Sequence, residues 1–98
     1  MKSIEKQLNS KDAKELYKAL SVLGNSKEIS NFLRDLLTIE EIEEAIRRLR
    51  VAKMLENGES FRTIQAKTKM SSTTVARINY WLHHGTGGYR LALEKLKN

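Results

Sequence analysis

From Ser10 onward, Ala13, Leu16, Tyr17, Leu20 and Leu23 recur three and four positions apart, the spacing that lines side chains along one helix face. Gly24 follows as a residue able to take the left-handed conformation that ends a helix. Asn25 or Ser26 can cap a second helix, whose stripe is Ile29, Phe32, Leu33, Leu36 and Leu37, with Glu28 near its positive end. Thr38 and Glu41 have capping-box spacing, in which each side chain satisfies an orphan backbone N–H. The helix they open carries Ile39, Ile42, Ile46, Leu49 and Ala52 on one face, and Val51, Met54 and Leu55 widen the apolar surface until Asn57 and Gly58 close it. Such width predicts burial on more than one side.

Ser60 can cap a short helix bearing Phe61, Ile64 and Thr68. After Lys69 and Met70, Ser71 starts another with Val75, Ile78 and Leu82 inward. Gly85, Gly87 and Gly88 break the chain before a last amphipathic stretch of Tyr89, Ala92, Leu93 and Leu96. Strand alternation and internal repeats do not occur in this pattern, so the expected class is all-α. No Pro-rich or Ser/Gly-rich linker separates two apolar blocks, which predicts a single domain over residues 1–98. A chain this short buries a small share of its surface, and a partner chain would help.

Charge changes the picture by its placement. Of the net +6, residues 1–59 contribute nothing, since eleven basic side chains meet eleven acidic ones there. Residues 60–93 hold Arg62, Lys67, Lys69, Arg77 and Arg90 without an Asp or Glu. A basic segment free of carboxylates suits neutralisation of phosphates, because an acid beside a polyanion would repel it.

That segment contains SFRTIQAKTKMSSTTVARINYWL, two short helices joined by about three residues, with apolar anchors at Phe61, Ile64, Met70, Val75 and Ile78. The arrangement predicts a helix-turn-helix over about residues 60–82, in which one helix braces another that enters a major groove of duplex DNA. Ser71, Ser72, Thr73 and Thr74 open the second helix with hydroxyls that can meet base edges or phosphates, and with methyl groups that can touch thymine. Arg77 lies one turn beyond, while Arg62, Lys67 and Lys69 are placed to grip phosphate on either side. Many such turns carry glycine where Lys69 stands and alanine where Gln65 stands. Lys69 is therefore expected to tolerate a left-handed backbone at about 1 kcal/mol.

Other chemistries find less support. The chain has no cysteine, so disulfides and thiolate ligands are excluded, and the charged N-terminal stretch MKSIEKQLNSKDAK lacks a signal-peptide core, which points to the cytoplasm. Glu40, Glu41, Glu43 and Glu44 sit in the first turns of a helix, where the dipole favours them over a catalytic role. His83 and His84 would project about 100° apart on a helix, and no metal site is expected. Tyr80, Trp81 and Tyr89 read as core or interface packing rather than base-stacking platforms. No nucleophile or glycine-rich phosphate loop suggests an enzyme. The alternatives to a DNA-binding regulator are a protein-interaction module with a degenerate head, and an RNA-binding protein, although Ser71 to Thr74 offers no aromatic stack.

The stretch LLTIEEIEEAIRRLRVAKMLENGESFRTIQAKTKMSSTTVARINYWL resembles the Trp repressor superfamily, and its continuation LHHGTGGY looks like the YerC/YecD branch. The resemblance implies six helices in an intertwined homodimer, with two heads in successive major grooves about 34 Å apart. It implies a transcriptional regulator, most simply a repressor, acting on a palindromic operator and residing on the nucleoid when DNA-bound. In tryptophan-responsive members the effector's indole lies between two arginines. The resemblance matches these to Arg48 and Arg77, and neighbouring pocket positions to Thr38 and Thr74. Ile78 stands where those repressors have glycine, and Trp81 where they have a small serine. The resemblance thus offers L-tryptophan as a corepressor while these two residues disfavour it, and no cofactor is expected.

Overall fold

The structure, a computed structural model, describes the backbone of residues 2–97 and the side chains of residues 4–97; the expected domain's end residues, Met1 and Asn98, lie outside. Among the described residues all regular structure is helical: α1 (Lys2–Leu8), α2 (Lys11–Val22), α3 (Ser26–Leu36), α4 (Ile39–Glu56), α5 (Phe61–Thr68), α6 (Ser72–His84) and α7 (Gly88–Leu96). Six of these are the helices expected from the pattern. The addition is α1, where a charge between every pair of apolar residues obscures the period. The chain forms two compact units, residues 1–38 and 39–98.

In the first unit, polar side chains punctuate the chain. Ser10 caps α2 by accepting the Ala13 N–H at 3.0 Å, and the Tyr17 hydroxyl donates to the Leu8 carbonyl at 2.8 Å, tying α1 to α2. Gly24 departs from expectation, since α2 ends on Leu23 in an extended conformation and Gly24 is not left-handed. The reason is local. Asn25 caps α3 through the Glu28 N–H at 3.0 Å, and Glu28 reaches back to accept the Gly24 N–H, so the next helix's cap dictates the connection. No residue from 4 to 38 is buried, although Leu16, Tyr17, Val22 and Leu36 are large and apolar.

The second unit has a core. Val51, Ala52 and Met54 of α4 meet Ile64 of α5, Met70 of the turn, Val75, Ile78 and Leu82 of α6, and Leu93 of α7, with Leu55 and Tyr89 half-buried at its edge. Fully burying each Ile or Val removes about 1.5–3 kcal/mol of apolar exposure from water. The two apolar sides of α4 part company: Ile39, Ile46 and Leu49 are exposed, whereas Ala52 of that same stripe joins Val51 and Met54 in the core. Past Glu56, Gly58 at φ 82° lets the Gly58 N–H reach the Leu55 carbonyl and the Glu59 N–H the Met54 carbonyl, closing α4 with paired carbonyl caps.

Candidate nucleic-acid interface

Helix α5 starts where Ser60 accepts the Thr63 N–H at 3.1 Å, and it buries Ile64 and Thr68. It ends at Lys69, whose φ of 62° and ψ of 17° are left-handed, as expected at this glycine-like position, with its N–H donating to the Gln65 carbonyl at 2.9 Å. Thr68, 3% exposed, donates its hydroxyl to the Ile64 carbonyl at 2.7 Å and accepts the Met70 N–H at 3.3 Å. Met70 inserts into the core, and Ser71 caps α6 by accepting the Thr74 N–H at 3.2 Å. Residues 69–71 thus make a three-residue turn in which the Lys69 and Met70 N–H groups both have partners. Burial of Val75, Ile78 and Leu82 turns Ser72, Thr73, Ala76, Arg77 and Tyr80 outward as one exposed face of α6.

The expected contact residues divide into groups. Arg62, Lys69 and Arg77 are exposed and join none of the ion pairs among the described residues. Lys67 is exposed but faces Glu59, at 3.4 Å from its carboxylate, because the Ser60 cap folds residue 59 back over α5. Ser72 and Thr73 are exposed, whereas Ser71 and the half-buried Thr74 hold each other across 3.0 Å as part of the cap. Phe61 is 39% exposed and is not the bracing anchor its position suggested. Arg90 donates to the Leu82 carbonyl and meets His83 Nδ1, each at 2.8 Å. The fifth cation of the acid-free stretch therefore fastens α7 to the end of α6.

Of the effector positions, Thr38 belongs to the first unit; Arg48, Thr74 and Arg77 belong to the second. Arg48 has two neighbours already: its Nε lies 3.2 Å from Glu44, and its guanidinium 5.9 Å from the Trp81 ring centroid, a cation–π distance. Ile78 is fully buried. Tyr80 and Trp81 are 61% and 43% exposed, so within this chain they are not core; Tyr80 instead packs on His84 at a tilt of 41°, with centroids 4.9 Å apart. Burial pushes the Tyr89 phenol above its ordinary value, partly offset by the charge of Arg48.

Sequence reasoning missed Arg47. It lies on α4, twenty-odd residues before the turn, yet it lines one groove with Lys69, Ser71 and Thr74. Periodicity marks it only as polar, and the neighbourhood is made by the fold.

Comparisons with known proteins agree with this geometry. The family model described as Trp repressor protein matches residues 11–97, running across both units. The uncharacterised protein YerC of Bacillus subtilis (strain 168) is 33% identical over 91 residues, covering 93% of this chain and 88% of its own. The crystal structure of a TrpR-like protein from Eubacterium eligens ATCC 27750 superposes with a TM-score of 0.87 at 33% identity, covering 93% of this chain and 94% of the other. With the left-handed Lys69 turn, the buried inner face of α6 and a match along nearly its whole length, the chain belongs to the Trp repressor protein family.

Proposed function

We propose that the protein is a sequence-specific duplex-DNA-binding transcriptional regulator, most simply a repressor, that acts as a homodimer on a palindromic operator. The observation that carries this reading is the exposed face of α6. Ser72, Thr73 and Arg77 stand on a helix whose opposite face is locked into the core, and the exposed Arg62 of α5 and Lys69 of the turn are in no ion pair among the described residues. Hydroxyls and a methyl group can read base edges, and the cations can hold phosphate. The homodimer is supported by apolar surface that each unit leaves uncovered, Leu16, Tyr17, Val22 and Leu36 in the first and Ile39, Ile46, Leu49, Leu91 and Leu96 in the second. This reading places the protein in the cytoplasm, on the nucleoid when bound.

Bound tryptophan is not required in this proposal. The family's effector indole would sit against Arg48, which Glu44 and the chain's own Trp81 already engage, and Ile78 occupies the place of a glycine. Calorimetry with L-tryptophan tests this directly, and micromolar binding would overturn it. For the DNA reading, selection from random duplex DNA is expected to enrich a palindrome with half-sites about 34 Å apart. Arg62→Ala is expected to weaken binding of that duplex without altering the helical circular dichroism signal or the dimer mass. Enrichment of no palindrome would refute the reading.

A further inference from the structure

We propose that Arg47 is a phosphate-contacting residue of the duplex interface, held in reserve by Glu44, so that this one carboxylate limits what the α4 wall contributes to DNA binding. The inference rests on the DNA reading above and extends the interface outside the helix-turn-helix.

The groove concerned, of about 330 Å³, has α4 as one wall and the turn with the start of α6 as the other. Its lining holds the cations Arg47 and Lys69, the carboxylate of Glu44, the hydroxyls of Thr68, Ser71 and Thr74, already bonded within the turn, and Met70. The two cations suit a phosphate oxygen, and the carboxylate would repel one. Glu44 is divided between two guanidiniums. One oxygen lies 3.2 Å from Arg48 Nε, the other 3.4 Å from Arg47 Nη2. The two ties differ in kind. Arg48 is also held beside the Trp81 ring, whereas Arg47 has the longer contact and, among the described residues, no such second tie.

An exposed ion pair of this kind contributes little, because water screens it and two long side chains must be ordered to make it. A DNA phosphate arriving at Lys69 brings an acceptor that a guanidinium can bind with two hydrogen bonds. If Arg47 turns to that phosphate, Glu44 keeps Arg48 as its counterion, so the exchange strands no charge. Arg47 thereby changes partner at small loss, and Glu44 competes with DNA for it.

The test uses the full-length protein and fluorescence anisotropy on labelled random-sequence duplex DNA, titrated at salt concentrations between about 50 and 200 mM. Each dimer carries two copies, so Arg47→Ala is expected to lower the slope of log affinity against log salt by about 1.8, at about 0.9 per lost phosphate contact. Across that salt range the wild type then loses about 12-fold more affinity than the variant. Arg47→Lys keeps the charge and most of the slope. Glu44→Gln binds more tightly than wild type, and the gain disappears when combined with Arg47→Ala. Circular dichroism and dimer mass stay constant throughout.

An Arg47→Ala slope equal to wild type overturns the proposal while leaving the DNA reading intact, and so does a Glu44→Gln gain undiminished in the double variant. A wild type that binds no duplex at all overturns the DNA reading and this inference together.

Discussion

Lys69→Gly should make the protein more stable and worse at binding DNA. Lys69 holds φ at 62°, the only non-glycine residue with positive φ among the described residues, and an L side chain in that conformation costs about 1–2 kcal/mol. Glycine removes that strain but returns about 0.4–1 kcal/mol through the greater freedom of the unfolded chain. Taking the middle of each range, the balance favours the variant by about 0.8 kcal/mol, a rise in melting temperature of roughly 3–6 °C for a chain of this size. Because an oligomer's melting point depends on concentration, both proteins must be compared at the same one. Lys69 is exposed and lines the groove at the turn, so on the proposed reading of a DNA-bound homodimer deleting its amine should cost two phosphate contacts and lower the salt slope by about 1.8. Lys69→Ala separates the two effects: it loses the charge and keeps the strain, so affinity falls as for glycine while stability does not rise. If Lys69→Gly melts at or below the wild-type temperature, the strain argument fails. If its salt slope matches wild type, Lys69 does not face DNA.

Ile46, 61% exposed on the outward face of α4, should lie inside the homodimer interface, so Ile46→Glu is expected to give monomeric mass by light scattering and to abolish DNA binding; a stable dimer would remove that face from the interface. Tyr89 favours its neutral form in the fold because burial raises its pKa above 10.0, so its contribution to stability is complete below pH 10 and is lost as pH rises through the folded-state value. Urea unfolding from neutral to alkaline pH should therefore fall less steeply for Tyr89→Phe than for wild type, and identical profiles would refute it. A Cβ at Gly85 would run into the Trp81 carbonyl oxygen, so Gly85→Ala should destabilise by about 1–3 kcal/mol in chemical denaturation, and an unchanged midpoint would mean the α6–α7 joint relaxes freely.

The fold was legible wherever a local rule decided it. Asn25, Ser60 and Ser71 cap the helices their positions suggested, and Lys69 is left-handed because the turn needs that conformation whatever residue occupies it. The misses share a cause, which is that periodicity assigns a residue to a face without saying what lies opposite. The breadth of α4 announces burial on more than one side, but not that α5, α6 and α7 cover Val51, Ala52 and Met54 and leave Ile39 and Ile46 exposed. Phe61 has the right spacing yet lies at the very start of α5, where it stays 39% exposed and outside the buried core. Partners set by the tertiary fold or by a cap were equally hidden, as with Lys67 facing Glu59 and Arg90 spent on Leu82 and His83. The outline of the interface could be read from the charge run; Arg47 could not, because only the packing of α4 against the head brings it there.

The buried hydroxyl of Thr68 has a mechanical consequence. By bonding the backbone on both sides of itself, to Ile64 behind and Met70 ahead, it removes the hinge that a three-residue connection would otherwise supply. The brace and the reading helix then behave as a single stiff bracket. Their relative orientation is thereby set within the fold, and on the proposed DNA reading the head offers a preformed surface rather than one that bends to meet its partner.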